Sequence, residues 1–282
     1  MSTVMADPVR VVSMNLCTDQ LAMMLAKPGQ LVSVSYIARD PDASAMADVA
    51  QGYPINHGLA EEIYLLQPDL VVTGTFSAPA TTAMLRRLGV PVAVFDPATS
   101  LQDVAARLLQ MGAALNRRDA AEELVAEFEQ QLAAFDQVNA AGANTGDASG
   151  RTGTDADAGR PRAALYDANT YTSGPQTLAG QILEAAGFAN IASELGYTGP
   201  ARLPLEQLVM AKPDMLVANT PHDSPARSEE NLTHPVLRHL STPQTTGQIR
   251  QADWVCGTPH VLRAIDRLAV ERRHFTKRDR AQ

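Results

Sequence analysis

No stretch of this 282-residue chain reaches the roughly 18–20 consecutive apolar residues that a membrane-spanning helix requires. No G-x-G-x-x-G follows a strand pattern and no Walker A segment occurs, so the usual phosphate-cradling loops of nucleotide enzymes are absent. Basic residues are in the minority: 23 Lys and Arg stand against 31 Asp and Glu, for a formal net charge of -8. Without a basic stripe the chain has little to offer nucleic-acid phosphates. The one dense basic run, from Arg272 to Arg280, reads as a solvated tail at the chain end. Aromatics make up only 5% of the residues, with a single Trp. There are two cysteines, Cys17 and Cys256, for which a disulfide, two buried thiols and a soft-metal site all stand open. Residues 1–7 lack the apolar core of an export signal, and strand character begins at Val9. That abrupt start looks like a mature chain whose export signal has been removed, and a cytoplasmic chain would start the same way.

What is present is an ordinary globular composition, 45% hydrophobic and rich in Ala, Leu and Val, which suits helices packed on a buried parallel sheet. The most informative feature is an internal echo. Residues 59–72 read LAEEIYLLQPDLVV and residues 204–217 read PLEQLVMAKPDMLV. Aligned on Pro68 and Pro213, Glu61 matches Glu206, Ile63 matches Leu208, Asp69 matches Asp214 and Val72 matches Val217. In each copy a short amphipathic helix ends at a Pro-Asp turn and feeds a buried strand. A second correspondence supports the first. Residues 9–14 form a strand followed by a polar loop, a helix, Gly29 and another strand. Residues 163–166 begin a similar series, with a loop at 169–174, a helix near 178–186, Gly187 and a short extended segment. The chain is therefore read as a duplicated α/β arrangement.

Between the halves the apolar residues of 101–115 and of 119–139 recur at helical spacing, with Leu124, Phe128, Leu132 and Phe135 on one stripe. Residues 140–160 carry no bulky apolar side chain and are expected as a surface loop. This gives an N-terminal α/β lobe at 8–115, a connecting helix at 116–139, the loop at 140–160, a C-terminal α/β lobe at 161–274 and a tail at 275–282. Residues 249–255 look like one more strand.

The opening RVVSMNLCTDQLAMML, the helix-then-PDLVV unit and the long central helix resemble the helical-backbone periplasmic binding proteins (class III, cluster A). So does the later run YDANTYTSGPQTLAGQILEAAGFANIA followed by PLEQLVMAKPDMLVA. The likeness covers nearly the whole chain, from about Val9 to Leu268, and is nearest to the vitamin B12, iron-siderophore and haem branch. It implies two Rossmann-like lobes joined by one long backbone helix, with the ligand in the cleft between them. It further implies a monomeric, non-enzymatic protein that needs no cofactor of its own. Such a protein delivers a metal chelate or corrinoid to an ABC permease and its ATPase in the inner membrane. One departure stands out: the B12-binding relatives carry a docking glutamate on each lobe, and neither Ser77-Ala78-Pro79-Ala80 nor Cys256-Gly257 supplies one.

Ligands of open α/β sheets sit beyond the carboxyl ends of the strands, where loops lead into helices. In the first half this selects Cys17, Thr18, Asp19, Tyr36, Asn56, His57, Thr75 and Phe76. In the second half it selects Asn169, Tyr171, Tyr197, Arg202, Trp254, Cys256 and His260. The mixture of aromatics, amides and imidazoles suits a large, partly conjugated ligand with polar edges. Cys17, Cys256 and His57 are the candidates for direct metal contact, the sulfurs being expected one per lobe. Each residue also has a plainer role: Thr18 or Asp19 as a helix cap, Trp254 as core packing, His57 as a hydrogen-bonding surface residue. Two other functions compete. A Cys-dependent enzyme would use Cys17 as nucleophile, His57 as base and Asp19 to orient it. A ligand-free partner protein would explain the missing docking glutamates.

Overall fold

A computed structural model describes residues 9–143, 159–218, 227–240, 246–247 and 249–279. The chain divides into two compact units. The first takes the chain up to Ala98, then Gln102–Phe128 and Val255–Pro259; the second takes Thr99–Leu101, Glu129–Trp254 and the chain from His260.

In the first unit β1 (Val11–Ser13) leads into α1 (Leu16–Leu25), β2 (Leu31–Ser35), the single turn α2 (Ala47–Ala50) and β3 (Ile55–Asn56). Then come α3 (Ala60–Leu65), β4 (Leu70–Gly74), α4 (Pro79–Arg87), β5 (Val92–Phe95) and α5 (Leu101–Ala114). The strands pair in the order β3-β2-β1-β4-β5, all parallel. They are short runs of Val, Leu and Ala because a parallel sheet buries both faces. Val12, Met14, Ile63, Val71, Leu85 and Val90 form one core cluster beside it. The strand order reverses between β1 and β4, and that is where an open α/β sheet leaves a crevice at its carboxyl edge.

The helix α6 (Arg118–Ala143) holds the division between the units, which falls after Phe128. It extends into the stretch expected as loop, and residues 144–158 of that stretch lie outside the described residues. In the second unit β6 (Arg162–Leu165) is followed by β7 (Tyr171–Ser173), α7 (Leu178–Ala185), β8 (Ala189–Asn190), α8 (Ile191–Glu194), β9 (Pro200–Arg202) and α9 (Leu205–Ala211). After these come β10 (Met215–Val217), α10 (Pro235–Leu240), β11 (Thr246–Gly247), α11 (Gln251–Trp254) and α12 (Val261–Asp279). A parallel sheet runs β11-β10-β6-β8, and β7 pairs antiparallel with β9 as a separate ribbon. Ala164, Tyr166, Ile191, Leu203, Leu208 and Leu216 pack beneath it.

The echoed segments share more than a sequence pattern. In the first unit the Asp69 carboxylate accepts from the backbone N–H groups of Val9 (2.9 Å) and Arg10 (2.8 Å), while Arg10 donates through Nη2 to the Leu66 carbonyl at the end of α3 (2.7 Å). In the second, Asp214 accepts from the Arg162 N–H (2.8 Å) and Arg162 donates through Nη1 to the Ala211 carbonyl at the end of α9 (2.8 Å). Gln67 and Lys212, each preceding the proline, take left-handed φ values of 50° and 47°. Proline disfavours the helical conformation in the residue before it, and the arginine satisfies helix-end carbonyls that have lost their intrahelical donors.

Three local expectations change. Residues 251–254 are helical, not extended; a short apolar run does not separate strand from helix by periodicity alone. The segment 169–174, expected as a loop, contains β7, whose partner lies some thirty residues on and leaves no local mark. The last helix continues to Asp279, through much of the basic run read as a tail.

Candidate functional site

The crevice of the first unit is built from the loops that follow β1, β4 and β5. Asn15 ends the extended backbone of β1 (φ -147°, ψ 136°) and caps α1, its Oδ1 accepting from the N–H groups of Cys17 (3.0 Å) and Thr18 (3.3 Å). Its Nδ2 donates to Ser77 Oγ in the loop after β4 (2.7 Å), so one amide ties both lips together. A Cβ on Gly74 would stand 3.2 Å from that Asn15 amide, which is why glycine ends β4 here. Thr75 Oγ1 donates to Asp96 just after β5 (2.5 Å). From α5, Arg107 donates through Nη1 to Gln110 Oε1 (2.6 Å), and Gln110 donates to the Val94 carbonyl (2.9 Å). Asn15, Gly74, Thr75, Ser77, Asp96 and Arg107, together with Phe76, Pro97 and Val255, line a recess of about 110 Å³.

Cys17 and Cys256 both line the recess, and they are joined in a disulfide. The placement differs from the expectation of one sulfur per lobe: Val255–Pro259 returns to the first unit, so both sulfurs belong there. Bonded to each other, they are unavailable as metal thiolates, and Cys17 is no nucleophile. Among the described residues no group of three or more His, Cys, Asp or Glu is placed to hold a metal ion.

Two expected contact residues stand on the same carboxyl edge. Tyr36 follows β2 and His57 follows β3, and their rings stack at 5.5 Å with an interplanar angle of 22°. Glu62 of α3 accepts the His57 backbone N–H (2.7 Å) and faces Nδ1 at 3.3 Å. A carboxylate can only accept, so in this pairing the imidazole donates through Nδ1. Phe76, 82% exposed, stands on the loop after β4 and lines the recess.

Three residues of the expected set are buried, although Thr18 also lines the recess. Asn56 is fully buried and spends its amide on the Ser13 carbonyl (2.8 Å), Ser33 Oγ (2.9 Å) and the Val34 carbonyl (3.0 Å). Thr18 is buried, its hydroxyl shared with Ser13 Oγ (2.8 Å) and the Asn15 carbonyl (3.0 Å). Asp19 is wholly buried and accepts from the N–H and the hydroxyl of Ser35. Burial pushes its carboxyl up to about 6, against the hydrogen bonds from Ser13 and Ser35 that favour the charged form. It neither touches a ligand surface nor orients His57.

In the second unit Asn169 and Tyr171 follow β6. Asn169 adopts φ 56° and its N–H donates to Asn231 Oδ1 (3.1 Å), while Asn231 Nδ2 donates to the Asp167 carbonyl (2.8 Å). Tyr171, 44% exposed, pairs across the ribbon with Arg202, whose guanidinium lies 5.6 Å from the ring centre. Tyr197 is half-buried and donates to Gln207 Oε1 (3.1 Å). Trp254 and His260 each bury a ring nitrogen that has no hydrogen-bond partner among the described residues. Burial, with Arg263 nearby, pulls His260 down to about 4 and keeps it neutral at ordinary pH.

Sequence reasoning missed Glu62, Asp96 and Arg107. Asp96 was within its reach, since it follows a parallel strand directly. Arg107 sits in mid-helix and carries no such signal.

The model of the periplasmic binding protein family matches residues 11–250. This chain belongs to that family. A curated relative, the cobalamin-binding protein of Halobacterium salinarum (strain ATCC 29341 / DSM 671 / R1), is 30% identical over 251 residues, covering 88% of this chain and 64% of the relative. The chain thus spans just under two thirds of that relative's length. Among solved structures, a periplasmic heme-binding protein from Pseudomonas aeruginosa superposes with a TM-score of 0.71 at 18% identity, over 94% of this chain and 92% of the other. The periplasmic heme-binding protein RhuT from Roseiflexus sp. RS-1 gives 0.69 at 22% identity, over 95% and 98%. The periplasmic vitamin B12 binding protein BtuF of Vibrio cholerae gives 0.64 at 16%, over 96% and 99%. At these identities the structural matches speak for the fold of this periplasmic binding protein.

Proposed function

We propose that this periplasmic binding protein is the substrate-binding component of an ABC importer. It captures a metal chelate (an iron-siderophore, haem or a corrinoid) in the periplasm and, as a monomer, hands it to a permease and ATPase in the inner membrane. The observation that carries this reading is the family match across residues 11–250. The 30% identical relative named for cobalamin binding, and the heme- and B12-binding proteins that share the fold, support a chelate as ligand. On this reading the ligand surfaces are the carboxyl-edge loops of the two parallel sheets. In the first unit they comprise Tyr36, His57, Thr75, Phe76 and the disulfide-walled recess. In the second they comprise Asn169, Tyr171, Tyr197 and Arg202, with Trp254 and His260 as further contacts. The Cys-dependent enzyme loses its nucleophile to the Cys17–Cys256 bond.

Trp254 is the sole tryptophan and so a clean reporter. Titrating its fluorescence with cyanocobalamin, hemin and a panel of ferric siderophores should give saturable quenching by one of them at micromolar affinity or tighter. A folded protein that responds to none, with calorimetry equally silent, would sink the importer reading.

A further inference from the structure

One side of the recess hangs on a covalent bond. Val255 and Cys256 both line it, and Val255–Pro259 belongs to the first unit while its chain neighbours Trp254 and His260 belong to the second. Among the described residues, no hydrogen bond or ion pair ties 255–259 to the remainder of the first unit, and the Cys17–Cys256 disulfide is its one fastening. Beyond that bond the segment is held by burial of the small residues Cys256, Gly257 and Thr258, while Val255 is 39% exposed. Small side chains remove little apolar area from water, so burial alone holds such a segment weakly.

The position of Cys17 suits a bond that opens and closes. It lies in the first turn of the ten-residue helix α1, where the positive end of the helix stabilises a departing thiolate. A stabilised leaving thiolate speeds thiol–disulfide exchange. Opening takes a dithiol: its thiolate attacks Cys256 Sγ, the S–S bond breaks and the electron pair leaves on Cys17 Sγ. The second thiol then displaces Cys256 Sγ, so that two electrons and two protons pass to the protein and the reagent departs as a disulfide. Closing is the reverse, with a disulfide oxidant. We propose that the Cys17–Cys256 bond is a redox latch on the recess: oxidised, it fixes Val255 and Cys256 as a wall of the ligand site, and reduced, it frees that wall and ligand is no longer held. The inference rests on the importer reading above. It makes ligand capture a property of the oxidised chain, withheld until a disulfide oxidant has closed the bond.

The test compares the oxidised full chain with a Cys17→Ser, Cys256→Ser pair, so that no reductant meets the chelate. Cyanocobalamin, hemin and the ferric siderophores are titrated into each by calorimetry, at a temperature where thermal unfolding shows both to be folded. Whichever probe the oxidised chain binds should bind the serine pair at least about tenfold more weakly. Amide exchange at Val255, Cys256, Gly257 and Thr258 should quicken by at least about tenfold in the pair, while β1 and β4 keep their protection. Val255→Ala should weaken binding about threefold with the bond intact and no more than about 1.5-fold in the serine pair, a coupling that a uniform loss of stability does not produce. Should the pair fail to fold, wild type reduced anaerobically by a dithiol and freed of it by gel filtration takes its place, and renewed oxidation should restore binding. Equal affinity of the two forms overturns the latch and leaves the importer reading intact, and so does exchange that quickens evenly across the first unit. An oxidised chain that binds no probe defeats the importer reading and the latch with it.

Discussion

Asp19 shows how one side chain can resemble a site residue and serve the fold. Its carboxyl is buried against Ser35 and titrates near 6, compared with an ordinary 3.8. Between those values the folded chain keeps a proton that the unfolded chain has released, so stability falls as pH rises through the window. The full difference is about 3 kcal/mol. Asp19→Asn carries no such dependence. Its urea midpoint should therefore gain on wild type between pH 4 and pH 7; a gap that stays constant would mean the carboxyl is not desolvated. From sequence alone, Asp19 and Asn56 looked like ligand contacts because both fall at strand ends on the carboxyl edge. What decides their role is which neighbour takes their polar atoms, Ser35 for one and the Ser13 and Val34 carbonyls for the other. Those partners lie 16, 43 and 22 residues away, beyond the range of a local pattern. Tyr36 and His57 were selected by the same rule and do stand exposed, stacked and backed by Glu62.

At the level of elements, the duplicated helix-Pro-Asp-strand unit was the most legible part of the chain, because helix stops and buried strands are local features. Its fastening was not legible. Arg10 immediately precedes its strand and Arg162 begins its own, and both meet their helices only through the fold. Asp69→Ala removes the acceptor of two backbone N–H groups and Asp214→Ala that of one, so each should lower stability by about 1–2 kcal/mol. Urea unfolding with unchanged m-values would measure it. If one aspartate proved indispensable and the other dispensable, the two copies would share geometry without sharing function in the fold. The ribbon of β7 and β9 makes the opposite case: its strands are three residues each, too short for a periodic signal.

For the whole molecule, the Cys17–Cys256 disulfide is the longest-range covalent fact, with a sequence separation of 239. Spacing alone left a bridge, free thiols and a metal site open, because nothing local tells that residue 256 returns to the first unit. A closed loop of this length restricts the unfolded chain strongly, so reduction or a Cys17→Ser, Cys256→Ser pair should cost about 2–5 kcal/mol. Unfolding curves with and without a thiol reductant measure that cost, and coincident curves would mean that the bond does not restrain the unfolded chain. The same bond closes the polypeptide from Cys17 to Cys256 into a ring. A protease that cuts once anywhere inside the ring releases nothing: the products migrate as a single species until a reducing agent is added, and only then separate into two.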